Sequence, residues 1–201
     1  MLKFEGVKIG FALTGSHCTL NEVFGVMKNL VEEGAEIVPI MSHVVNATDT
    51  RFGKADQWKK KCFDICGKEA LCTINDVEPI GPARELDCLV IAPCTGNTVA
   101  KLAGGITDSP VLMAAKAQLR NAGSVVLAIA TNDGLGANAK NIGLLLGQKN
   151  IYFVPFGQDN PWQKANSLIA HMHKIPETIF FACQRKQIQP VLEDFLTQEA
   201  K

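Results

Sequence analysis

Three short hydrophilic stretches hold the residues that could do chemistry: Thr14-Gly15-Ser16, Pro93-Cys94-Thr95-Gly96-Asn97-Thr98, and Thr131-Asn132 with the loop 133–136 that follows. Each comes after an apolar run and before a helical pattern. The first offers one glycine and two hydroxyls at a helix start, where unpaired amide hydrogens and a partial positive charge suit a monophosphate. The second is longer than a plain turn requires. Its Gly96 would let the backbone come close to a ligand, while Asn97 and Thr98 would bond to that ligand and to the start of the next helix. In the third, Thr131, Asn132 and the amides of the glycine-rich loop are hydrogen-bond donors for an anion.

Positioning these groups falls to an alternation of strands and helices. Apolar runs at 7–13, 35–41, 87–93, 124–130 and 151–155 predict buried strands, with a shorter one at 70–74. Pro39 suits an edge strand. Leu20, Val23, Phe24, Met27, Leu30 and Val31 form one helical stripe, with Thr19 and Glu22 as a capping box and Gly34 as its stop. Further helical patterns cover about 50–67, 99–103, 110–121 and 138–148, then 161–173 and 176–198. Strand–helix alternation with short connections implies an α/β fold, a doubly wound parallel sheet of the Rossmann-like kind. A single domain over 1–201 is expected, its core at about 6–155 and C-terminal helices at about 161–198. Ligands of such sheets sit beyond the carboxyl ends of the strands, and all three loops lie there, with Ser42 ending the second strand. The GxGxxG run of dinucleotide sites is missing, and Ser42 stands where an acidic residue would hold a ribose. FMN fits better than NAD.

Composition narrows the partners. Twenty basic and twenty acidic residues leave no net charge, which argues against nucleic acid and anionic membranes. No apolar run reaches the roughly 20 residues of a membrane span, and the N-terminal stretch does not read as a signal peptide, so a cytoplasmic protein is expected. Seven scattered cysteines suit reduced thiols rather than a disulfide framework. Cys62, Cys66 and Cys72 lack paired metal-ligand spacing, so no metal site is expected. His171 and His173 read as surface residues.

The stretch APCTGNTVAKLAGGITDSPV resembles the APxxANTxAKxAxGxxDNL signature of a flavoprotein family that includes phosphopantothenoylcysteine decarboxylase, peptidyl-cysteine decarboxylases and flavin prenyltransferase. The TGS loop matches that family's phosphate loop, and the resemblance spans about residues 6–155. It implies that Gly15, Ser16 and Ser42 hold the phosphate of FMN, and that Pro93, Cys94, Thr95, Asn97 and Thr98 line its ring and ribityl chain. Lys101 is equally a helix-surface residue, and Asp108 a cap for the helix after Pro110. Family members commonly assemble as homo-oligomers, and Gly104-Gly105 suits tight packing there.

Departures from the family redirect the chemistry. The cysteine decarboxylases carry a histidine about eight residues before the aspartate that opens the signature strand. Counting back from Asp87, this chain has Glu78, Pro79 and Ile80. Their PxMNxxMW clamp is replaced by a stretch in which only Ala130 and Asn132 remain. Within the family the chain is most similar to a branch that makes an aromatic pyridine dicarboxylate during spore formation. That similarity implies flavin-dependent oxidation of a dihydropyridine dicarboxylate, together with a second, different polypeptide that resembles a nicotinamide-dependent dehydrogenase. Thr131 and Asn132 would then face the substrate carboxylate, and His17, His43 and Cys94 are the candidate proton acceptors. A decarboxylase or prenyltransferase of the same family, or a non-catalytic binding protein, is the alternative.

Overall fold

The computed structural model describes residues 3–193. Its first half runs β1 (Lys8–Leu13), α1 (Leu20–Glu32), β2 (Glu36–Met41), α2 (His43–Ala47), α3 (Ala55–Cys66), α4 (Ile74–Val77), α5 (Ile80–Ala83) and β3 (Cys88–Cys94). Then come α6 (Gly96–Ala103), α7 (Pro110–Arg120), β4 (Ser124–Thr131), α8 (Ala139–Leu146), β5 (Ile151–Phe153), β6 (Phe156–Gln158), β7 (Leu168–Ala170) and α9 (Ile175–Cys183).

Strands β2, β1, β3, β4 and β5 are parallel neighbours in that order. All seven residues of β3 are buried, as a strand covered on both faces requires. One face is covered by α1 with α3 and α9, the other by α7 with α4 and α5. The chain leaves β1 toward β2 and returns on the other side at β3. This reversal opens a crevice at the strands' carboxyl ends.

β2 is the outermost strand, in keeping with Pro39. The expected strand at 70–74 is a correction: only Leu71 pairs, in a single bridge to Ile40 with backbone bonds to Pro39 and Met41. The C-terminal helices are a second correction. Residues 161–173 contain turns, β7 and a 3₁₀ turn (Met172–Lys174), and α9 ends at Cys183; positions 194–198 lie outside the described residues. β6 and β7 form an antiparallel hairpin, and β7 pairs with β4 at Ala130 and Thr131. β4 is thus flanked by β5 at its start and by this hairpin at its carboxyl end, where the hairpin walls the crevice.

His171, expected at the surface, is buried, with Nε2 3.5 Å from a Glu193 carboxylate oxygen. All seven cysteines are free thiols. No helix among the described residues is long and apolar enough to cross a membrane.

Candidate functional site

Thr14 joins the first two loops. The β1–β3 ladder ends at Ala12 and Ile91, and the β3–β4 register shifts between Ile91 and Cys94. Beyond that point the buried Thr14 hydroxyl donates to the Pro93 carbonyl at 2.6 Å and accepts from the Thr95 amide at 3.1 Å. Strand β3 continues through Cys94 and helix α6 begins at Gly96, so the expected six-residue loop is one residue long. Thr95 is its N-cap, accepting from the Thr98 amide, and Asn97 and Thr98 lie in the first helical turn.

After Thr14 the chain turns tightly, Ser16 N–H donating to the Thr14 carbonyl, and a 3₁₀ turn (His17–Thr19) precedes α1. The expected Thr19–Glu22 capping box is absent, because the Thr19 hydroxyl donates back to the Ser16 carbonyl. Ser42 caps α2 from the end of β2, accepting from the Val45 amide.

A cavity of about 410 Å³ gathers these pieces, within the roughly 300–1,000 Å³ of small-molecule sites. Thr14, Gly15, Ser42, Thr95, Asn97 and Thr98 line it, and His43 stands at its exposed wall. Lys101 and Asp108 line it too, as an ion pair at 2.5 Å that holds the Asp108 carboxyl below its usual range. Ser109, not Asp108, caps α7. A side chain at Gly15 would bring its Cβ to 3.1 Å from Val44 Cγ1, so the bare backbone keeps this cradle open. Pro93 and Cys94 are buried within β3 and line neither this cavity nor the next. Burial pushes the Cys94 thiol up to about 12, which leaves it protonated and unsuited to accept a proton.

A second cavity, about 290 Å³, shares Gly15 and Thr95 with the first. Ser16, Gly96, Thr131, Asn132, Lys164 and Ser167 are among its walls. Gly96 lines this cavity with its backbone, and its missing side chain serves a second purpose. A Cβ there would meet Thr131 Oγ1 at 2.5 Å, Asn138 Nδ2 at 2.7 Å and Asp133 Oδ1 at 2.8 Å. The glycine makes room for the loop after β4.

That loop is held by Asp133, whose carboxylate accepts from the Thr131 hydroxyl at 2.5 Å and from Asn138 Nδ2 at 2.9 Å. Two of the loop amides expected to meet an anion are engaged elsewhere, Leu135 N–H donating to the Asn166 carbonyl and Gly136 N–H to that of Asp133. The bonds from Thr131 and then Asn138 hold the Asp133 carboxyl below its usual range. Its contribution is therefore complete above the unfolded value of about 3.9 and is lost as pH falls through the lower folded value. Below about pH 4 the thermal midpoint of the native chain should fall more steeply with acid than that of Asp133→Asn. Parallel slopes in circular-dichroism melts would refute this.

His17 is buried under the first loop. Its Nδ1 lies 3.0 Å from the Gly15 carbonyl, which can only accept, so Nδ1 carries the proton. Nε2 is buried and has no hydrogen-bond partner among the described residues. Lys164 and Ser167 reach the site from the β6–β7 hairpin and are not singled out by pattern alone. The turn signal Asp159-Asn160-Pro161 was the available clue to that hairpin.

Comparison with known proteins agrees with this architecture. Over 192 residues the chain is 52% identical to the B subunit of dipicolinate synthase from Bacillus subtilis (strain 168), covering 96% of each. It matches the crystal structure of the corresponding B subunit from Bacillus halodurans with a TM-score of 0.88 and 52% identity, over 95% of this chain and 98% of that one. The FMN-dependent cysteine decarboxylase SpaF shares the fold, with a TM-score of 0.61 and 18% identity over 92% of this chain and 98% of that one. A family model described as Flavoprotein matches residues 3–184, and this chain belongs to the flavoprotein family.

Proposed function

We propose that this chain is the FMN-binding component of a dipicolinate synthase. It acts with the A subunit of dipicolinate synthase to oxidise a dihydrodipicolinate-type intermediate to dipicolinate. The observation that carries the reading is the convergence of Gly15, Ser42, Thr95, Asn97 and Thr98, from the ends of three parallel strands, on one cavity. Its chemistry suits FMN: a bare-backbone cradle and hydroxyls for the phosphate, amide and hydroxyl groups for the ring and ribityl chain. Bound there, FMN supplies a two-electron hydride acceptor.

Side chains of this chain do the rest. Gly15 and Ser42 hold the phosphate, with Ser16 on the wall of the adjoining cavity rather than of this one, and Asn97 and Thr98 orient the ring. Thr131 and Asn132, in the adjoining cavity, hold a substrate carboxylate. Aromatisation of the ring removes two electrons and two protons; a hydride carries both electrons and one proton, and the other proton needs an acceptor. His17, beside the phosphate loop, is the candidate; its Nδ1–H is committed to Gly15, and its Nε2, buried and unpartnered in the flavin-free chain, must be uncovered to take that proton. His43 lies on the phosphate side and is the lesser candidate.

The test is to titrate flavin-free protein with FMN by flavin fluorescence, then to mix it with the A subunit of the synthase and follow dipicolinate formation with and without FMN. Saturable binding and FMN-dependent formation are expected. Formation at the same rate without flavin would refute the redox role. Asn97→Ala should weaken FMN binding about five- to tenfold, the size of one net hydrogen bond. Unchanged affinity would remove Asn97 from the site.

A further inference from the structure

The mouth of the crevice carries two cations that the proposed reaction leaves without a task. Beside Ser16, His17 and Asn132, a cavity of about 650 Å³ is lined by Arg51, Phe52 and Lys164, and no carboxylate is among its lining residues. It shares Gly15, Ser16, Cys18, Asn132 and Lys164 with the cavity that holds Thr131, so the two are continuous. Asp159 lines that adjoining cavity and pairs with Lys164, so Arg51 is the cation left unpaired and the joined space keeps a net positive charge.

The turn that carries the exposed Arg51 is held in place. Thr50 and Gly53 exchange backbone hydrogen bonds at 3.0 and 3.1 Å around it, and the Thr50 hydroxyl accepts from Phe52 N–H. Gly53 lies so close to Trp58 that a Cβ would approach its ring to 2.3 Å, which fixes the turn against α3. The guanidinium sits 4.8 Å from the centre of the Phe52 ring and has no ion-pair partner among the described residues. An arginine stacked on an aromatic ring, with its charge unanswered, suits a planar carboxylate. Lys164 comes from the opposite element, the β6–β7 hairpin, and Asp159 orients it at 2.7 Å.

We propose that Arg51 and Lys164 are the specificity-determining pair for a small planar ring dicarboxylate, one cation for each carboxylate, with Asn132 assisting at the Lys164 wall. The inference rests on the dicarboxylate function proposed above and names the groups that select for two carboxylates over one. Arg51 takes one carboxylate through its fork, Phe52 offers the substrate ring an apolar face, and Lys164, oriented by Asp159, donates its remaining ammonium hydrogens to the second carboxylate. A phosphate of the flavin is the competing anion for Arg51, and the two are separable by experiment.

FMN-loaded protein is titrated calorimetrically with pyridine-2,6-dicarboxylate and with pyridine-2-carboxylate, and FMN affinity is measured in parallel. The native chain should prefer the dicarboxylate by about tenfold or more, the scale of one charged hydrogen-bonded pair. Arg51→Gln and Lys164→Gln should each remove most of that preference and leave FMN affinity unchanged. Equal dicarboxylate affinity in native and variant proteins overturns the cation pair alone. Weakened FMN binding by Arg51→Gln, with dicarboxylate binding intact, also overturns it and assigns Arg51 to the phosphate. Failure of the native chain to bind the dicarboxylate overturns the functional reading itself.

Discussion

Thr14→Val lowers the unfolding midpoint by roughly 5–15 °C and weakens FMN binding with it. The two side chains are nearly isosteric, so packing changes little and the effect isolates one hydroxyl. That hydroxyl donates to the Pro93 carbonyl and accepts from the Thr95 amide where the β1–β3 ladder has ended. Valine leaves both backbone groups without that partner. Each unsatisfied buried polar group costs about 1–3 kcal/mol, and together they cost about 2–6 kcal/mol. For a chain of this length each kcal/mol is about 2–4 °C. The same two bonds set the spacing between the phosphate loop and the start of α6, so loss of cofactor affinity accompanies the loss of stability. Thr14→Ser keeps the hydroxyl and should recover most of both. A valine variant that melts within about 2 °C of the native chain would show that the two loops are held apart from this bond.

What could be read from sequence follows from which interactions are local. A parallel strand covered on both faces must be apolar throughout, so CLVIAPC and SVVLAIA announce β3 and β4 without help from the rest of the chain. The rim loops follow from that sheet, because the carboxyl ends of parallel strands share one edge. The hairpin did not follow. Leu168, Ile169 and Ala170 are too few to show a period, and they become a strand by pairing with β4, some forty residues earlier in the chain. Arg51 was hidden for a similar reason. It sits in a turn whose shape depends on Trp58 packing over Gly53, and a pattern of charges cannot show that. The roles of Thr14 and Gly96 are hidden in the same way. Their residue types mark a loop, but one is a cross-link between strands, and the other clears space for a neighbouring loop while its backbone lines the second cavity.

Gly96→Ala is the sharper test of that second role. The family signature that this stretch resembles has alanine at this position, so composition alone predicts a harmless change. The geometry predicts a loss of about 1–3 kcal/mol, the range for an overpacked site. The added Cβ would fall 2.5–2.8 Å from Thr131 Oγ1, Asn138 Nδ2 and Asp133 Oδ1. Any one of these side chains could move aside alone, but Asp133 binds the other two, so displacing one breaks the network. The consequence should reach substrate before cofactor, since Thr131 and the neighbouring Asn132 line the second cavity and the phosphate cradle lies on the far side of Thr95. Dicarboxylate affinity should therefore fall several-fold more than FMN affinity, as expected when only one of two adjoining sites is displaced. A double-mutant cycle identifies the cause. On an Asp133→Ala background the network is already open, and Gly96→Ala should cost less than half of what it costs alone. Full additivity would mean that the alanine clashes elsewhere, and that the Asp133 network does not set the position of the loop after β4.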